Sequence, residues 1–135
     1  MVQIYRTHLD GGIASCTDGV DIWIDDRLNE VQERCAIAHE MVHVEMGHTR
    51  AQSEPVELAV RFETALRLLP PGTPALCKGS RSLGSAARAL GVTKQVLMDR
   101  AAVATAEEVE VAGCVECRLC PVIAARFAPR RVLVA

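Results

Sequence analysis

Apolar positions in the first twenty-four residues fall into three short runs, Val2-Gln-Ile4-Tyr5, Ile13 to Cys16, and Val20-Asp-Ile22-Trp-Ile24, and these predict three strands. Thr17-Asp18-Gly19 separates the last two, and an Asp-Gly pair favours a tight hairpin, so the expected sheet is short and antiparallel. The period then changes. Leu28, Val31, Cys35, Ala38 and Val42 recur at helical spacing, with Asp25 and Asp26 as candidate N-caps and Gly47 as C-cap, which predicts one helix over 27–46. A polar stretch at 49–53 leads to Pro55, suited to the first turn of a second helix whose apolar stripe is Leu58, Phe62, Ala65, Leu66 and Leu69. Pro70-Pro71-Gly72 ends it. Two shorter helices are expected at 83–90 and 94–101, hinged at Gly91. The fold class is therefore α+β. The expected organisation is a core over 1–72, a helical subdomain packed on it over 73–112, and a Cys-containing basic tail over 113–135.

Composition narrows the class. A chain of 135 residues fits one domain with a sizeable core, and 50% hydrophobic with 24% charged residues is a globular balance. Aromatics make up only 3%, so the core has to be built from Leu, Val, Ile and Ala. A net charge of -2 supplies no global pull toward nucleic acid or anionic lipid. No apolar run approaches the roughly 20 residues that span a bilayer, and the N-terminal residues lack a signal pattern. A cytoplasmic protein without membrane contact is expected, with its six cysteines reduced or metal-bound rather than disulfide-linked.

The chemistry concentrates in HEMVHVEMGH, residues 39–48. Helical residues four apart lie about 40° from alignment, so His39 and His43 can present imidazole nitrogens to one ion. Glu40 lies about 100° round the helix, beside such an ion rather than on it, where a carboxylate can act as general base toward a water. This pattern describes a zinc-dependent peptide-bond hydrolase. A tetrahedral site with two histidines and an open position needs a third protein ligand. His48 does not follow the metzincin spacing, and in a continued helix it would sit roughly 140° from His43; it suits a capping or supporting role instead. Glu45 points away from the metal face. Glu54, Glu57 and Glu63 on the second helix remain. Glu57 flanks the apolar stripe and can reach inward, although a first-turn acid also has a sufficient explanation in the helix dipole.

At this point the chain resembles the ImmA/IrrE-type metallo-endopeptidases of bacteria, phages and mobile elements, which have a gluzincin-like HExxH site. IWIDDRL followed by ERCAIAHEMVHVEMGH looks like the family's strand and Ala-His-Glu-x-x-His helix, and VELAVRFETALRLLP looks like its second helix, closed by Leu-Leu-Pro thirteen residues after a leading Glu. The resemblance implies a small zincin-like domain in which His39, His43 and Glu57 hold one Zn2+ and Glu40 is the general base. It also implies a protein substrate, a helix-turn-helix repressor whose cleavage derepresses phage, mobile-element or stress genes. The alternative is a catalytically weak regulator that uses the same fold to bind a repressor or DNA. Arg61 departs from the pattern, because the family often has Asn or Asp four residues after the liganding Glu. The oxyanion donor is open among Tyr5, the single tyrosine, His8, His48 and a backbone amide. An extended substrate segment can add to a strand edge, for which residues 22–24 are the expected site.

Residues 82–100 have the cadence of a helix-turn-helix, with Arg81, Arg88, Lys94 and Arg100 adding positive charge; packing or partner docking is expected over direct DNA contact. Cys114, Cys117 and Cys120 form a CxxCxxC cluster. With a distant fourth ligand such as Cys77 they are a candidate second, structural metal site, free cytosolic thiols being the alternative. The basic tail at 126–131 is expected to stay solvated.

Overall fold

The computed structural model describes residues 1–72 and 82–108. Cys77, Arg81, Cys114, Cys117, Cys120 and the tail lie outside the described residues, and with them the candidate second metal site. The chain is a small α+β protein that divides after Leu68 into two compact units. This boundary falls slightly ahead of the division at 72, because the Leu69 carbonyl already accepts from Arg100 Nε of the second unit. Among the described residues no helix is long and apolar enough to cross a membrane.

In the first unit, β1 (Ile4–Thr7), β2 (Ser15–Thr17) and β3 (Ile22–Asp25) form a three-stranded sheet in the order β1-β3-β2. The Asp18-Gly19 turn joins β2 to β3 as an antiparallel pair, with Ser15 opposite Ile24 and Thr17 opposite Ile22. Asp18 builds this turn by accepting from the Val20 and Asp21 amides at 2.9 and 2.8 Å. Two expectations are corrected here. The sheet is mixed rather than antiparallel, since β1 runs parallel to β3 in the register Ile4 to Ile22. Residues 22–24 are also no free edge: β3 is the central strand, bonded on both sides, and the edges are β1 and β2. The two inward side chains of β3, Ile22 and Ile24, are fully buried, which is what a central strand with one face on helices requires.

The first helix, α1 (Glu30–Glu45), starts later than the sequence suggests. Asn29, not Asp25 or Asp26, is its N-cap, in a reciprocal capping box with Gln32. Asp25 is otherwise engaged: its buried carboxylate accepts from the Leu9 amide at 3.1 Å and from Arg27 Nε at 2.8 Å. The adjacent guanidinium holds that carboxyl below the usual carboxylate range. At its other end α1 stops at Met46, and Gly47 adopts φ +77° to turn the chain.

A second helix, α2 (Glu54–Leu68), packs against α1, which also packs on β2 and β3. Its buried face is Val60, Thr64 and Ala65, whereas Leu58, placed on the apolar stripe by spacing, is exposed. The helix is thus rotated from the expected stripe toward the side that carries Glu57, one turn before Val60. Thr64 is tolerated in the core because its hydroxyl donates to the Val60 carbonyl at 2.7 Å. The core of this unit is Ile22, Ile24, Cys35, Val42, Val60 and Ala65.

In the second unit, α3 (Leu83–Leu90) and α4 (Lys94–Ala102) form a helix pair, capped by Ser82 and Thr93 and turned at Gly91 with φ +69°. Ala86, Ala87, Val92, Val96, Leu97 and Ala101 are its buried apolar residues. Arg100, counted among the positive charges of the helix-turn-helix cadence, is 1% exposed and pairs with Glu108, so it offers nothing to a phosphate backbone.

Candidate metal site and catalytic cleft

One face of α1 and the start of α2 bring three donors together. His39 and His43 are one turn apart on α1, and their Nε2 atoms approach to 3.2 Å. Glu57, in the first turn of α2, places its carboxylate 3.2 Å from His43 Nε2 and 3.4 Å from His39 Nε2. Donors held about 2.0–2.1 Å from one tetrahedral ion are separated by roughly 3.3 Å, so these three atoms have the mutual spacing of three corners of a zinc tetrahedron. The donor chemistry fits as well, because two imidazole nitrogens and a carboxylate oxygen facing one another could hold a shared cation. Burial is graded across the set: the side chain of His43 is 7% exposed, His39 24% and Glu57 36%, leaving the fourth direction toward solvent.

Burial, reinforced by the neighbouring His43, pushes the His39 imidazolium below its usual pKa against the opposing pull of Glu40 and Glu57. The neutral ring is the form that ligates a metal. His48 meets the other side of His43, Nδ1 to Nδ1 at 2.9 Å, and its own backbone amide donates to the His43 carbonyl at 3.0 Å. A partner on Nδ1 fixes which nitrogen of His43 is free to face the triad, the supporting role that outer partners play around ligating histidines.

Glu40 is buried beside the triad, and Ser15 Oγ on β2 donates to its Oε1 at 2.7 Å. Sequence reasoning missed Ser15, since a serine in a short strand carries no signal of its partner. Ser15→Ala removes a hydrogen bond to a buried carboxylate and should lower the free energy of unfolding by about 1.5–3 kcal/mol, as read from urea denaturation. Equal stability of the two proteins would show that Glu40 needs no help from β2.

These residues line an open cleft of about 290 Å3, with Ile13, Ser15, Cys16 and Thr17 along one side, His39, Glu40, His43 and Glu57 at the triad, and Arg50 and Ala51. Burial, with Glu40 and Asp18 nearby, pushes the Cys16 thiol up, so it stays protonated. Other candidates lie elsewhere. Tyr5 is on β1, across the central strand from β2, and stacks on Trp23 at 5.7 Å between ring centroids. Arg61 is half-buried one turn beyond Glu57 on α2. Glu45 and Glu63 both pair with Arg67, and Glu54 is exposed in the first turn of α2. His8 lies near Asp25 and Asp26, a second grouping of donor atoms, but there the Asp25 carboxylate is already taken by Arg27.

Comparison with protein-family models, curated proteins and solved structures gives no match for this chain.

Proposed function

We propose that this protein is a zinc-dependent metallo-endopeptidase of the ImmA/IrrE type, with a zincin-like arrangement of its first unit. The observation that carries the reading is the convergence of His39, His43 and Glu57 at 3.2–3.4 Å with Glu40 buried beside them at an open cleft. When bound, zinc supplies Lewis acidity that makes hydroxide available near neutral pH. The protein does the rest. Glu40, oriented by Ser15, takes the proton of the attacking water and returns it to the leaving amine. His48 holds His43 in register. β2, an edge strand among the described residues, gives an extended segment of substrate a strand to pair with, in place of the central strand expected from sequence. The protein substrate, by resemblance, is a helix-turn-helix repressor whose loss switches on phage, mobile-element or stress genes.

The test is metal removal. Cleavage of an unfolded protein such as casein should be abolished by a chelator and restored by zinc, and His39→Ala should abolish it irrespective of added zinc. Because the His39 imidazolium is disfavoured, zinc should be retained at pH 7 and released only below the ordinary imidazole value of roughly 6.5, as protonation removes a ligand. Cleavage that survives complete metal removal would end the proposal.

A further inference from the structure

Arg50 has no role in the metal site, yet it lines the cleft and is the only lysine or arginine among the described lining residues. Among the described residues its guanidinium makes no ion pair or hydrogen bond, in contrast to Arg6, Arg27 and Arg67, which are engaged by Glu33, Asp25, and Glu45 with Glu63. The cleft's own carboxylates do not satisfy it, because Glu40 is held by Ser15 and Glu57 faces the two histidines.

The backbone that carries Arg50 is braced. Gln52 Nε2 donates to the Arg50 carbonyl at 2.8 Å. Just before it, His48 and Thr49 pack against Gly19 in the β2–β3 turn so closely that a Cβ at Gly19 would lie 2.9 Å from Thr49 Cγ2 and 3.1 Å from the His48 carbonyl oxygen. Gly19 is the residue that allows this approach, with φ +95° as a second reason for glycine. Arg50 therefore follows directly on a segment fixed to the turn that ends β2, beside the strand edge open to an extended chain. With a divalent cation at the triad, the charges of Glu40 and Glu57 are balanced and Arg50 leaves the cleft net positive.

We propose that Arg50 reads an acidic side chain of an extended peptide, so that segments bound in this cleft carry Asp or Glu at a fixed distance from the triad. A guanidinium matches a carboxylate with two parallel hydrogen bonds, and the same group repels lysine or arginine at that position. The proposal rests on the peptidase reading only for calling the peptide a substrate.

Binding rather than turnover tests it. The probe is a set of fluorescein-labelled, C-amidated Ala/Ser heptapeptides with a single Glu or Lys walked along the chain, titrated by fluorescence anisotropy into zinc-loaded Glu40→Gln protein with Arg50, Arg50→Gln or Arg50→Glu. In one register Glu should bind about fivefold more tightly than Lys to the Arg50 protein. Arg50→Gln should erase that preference and Arg50→Glu should invert it, while an uncharged peptide binds all three alike. The same Glu-to-Lys ratio in all three proteins, or no peptide bound by any, would overturn the proposal. Inversion of the preference in a protein whose parent cleaves nothing with zinc would uphold Arg50 as the reader of charge and remove the peptidase reading alone.

Discussion

Glu40→Gln should lower cleavage by about a thousandfold while leaving the fold and the bound zinc in place. The size of the effect follows from what the substitution keeps. Glutamine has the shape of glutamate, so the buried side chain still fits, and its amide oxygen still accepts from the Ser15 hydroxyl at the position where Oε1 now accepts at 2.7 Å. The charge is lost, and with it the ability to take a proton from the attacking water. His39, His43 and Glu57 are untouched, so metal content should equal that of the parent. Casein cleavage measured beside zinc content and thermal unfolding separates the outcomes. A drop accompanied by lost zinc would make Glu40 a ligand or a structural residue, and no drop would move the base elsewhere.

Glu57→Ala should weaken zinc binding by more than the roughly 10–100-fold that loss of an outer partner such as His48 costs. Its carboxylate closes the triangle with both imidazole nitrogens, and no other carboxylate described near the cleft can replace it: Glu40 is turned to Ser15, and Glu54 is the exposed first residue of α2. Competition titration with a chromogenic zinc chelator measures the change. Glu54→Ala is the control, expected to leave affinity unaltered although it removes the same charge from the same helix turn. Equal losses in the two variants would mean that the general charge of the turn matters rather than a bond from Glu57.

The placement of His39 beside His43 could be read in the sequence because it is local. The i, i+4 spacing of His39 and His43 fixes their relation on any helix, and the Asp18-Gly19 turn and the glycines at 47 and 91 mark boundaries through backbone conformations that few other residues adopt. Nonlocal choices were not legible. Nothing in Ile4–Thr7 states that it pairs parallel to β3: Asp10-Gly11-Gly12, with φ +70° and +72° at the glycines, marks a reversal after β1, but not that β1 then passes over β2 to pair with β3. The face of α2 is decided by packing against α1, which buries Val60 and Thr64 and leaves Leu58 outside, so apolar spacing alone set its rotation wrongly. Asp25 has the side chain of a helix cap, but Arg27 and the Leu9 amide compete for it more closely, and Asn29 takes the cap. Ser15 and Arg50 belong to the site only through the way β2 and the segment after α1 are folded onto it.

The helix pair of the second unit shows the same limit. Its two capped helices and Gly91 turn follow from local sequence, yet charge counted along α4 overstates what a partner would meet, because Arg100 is turned inward to Glu108 and the Leu69 carbonyl. Arg88 and Lys94 remain on the surface.

Whether His39, His43 and Glu57 share one zinc ion can be seen crystallographically. Crystals of the zinc-loaded protein, with diffraction recorded on both sides of the zinc absorption edge, test it most directly. An anomalous peak is expected about 2.0–2.2 Å from His39 Nε2, His43 Nε2 and a Glu57 carboxylate oxygen, with Glu40 outside that distance. Zinc-loaded crystals with no anomalous peak among these three side chains would contradict it.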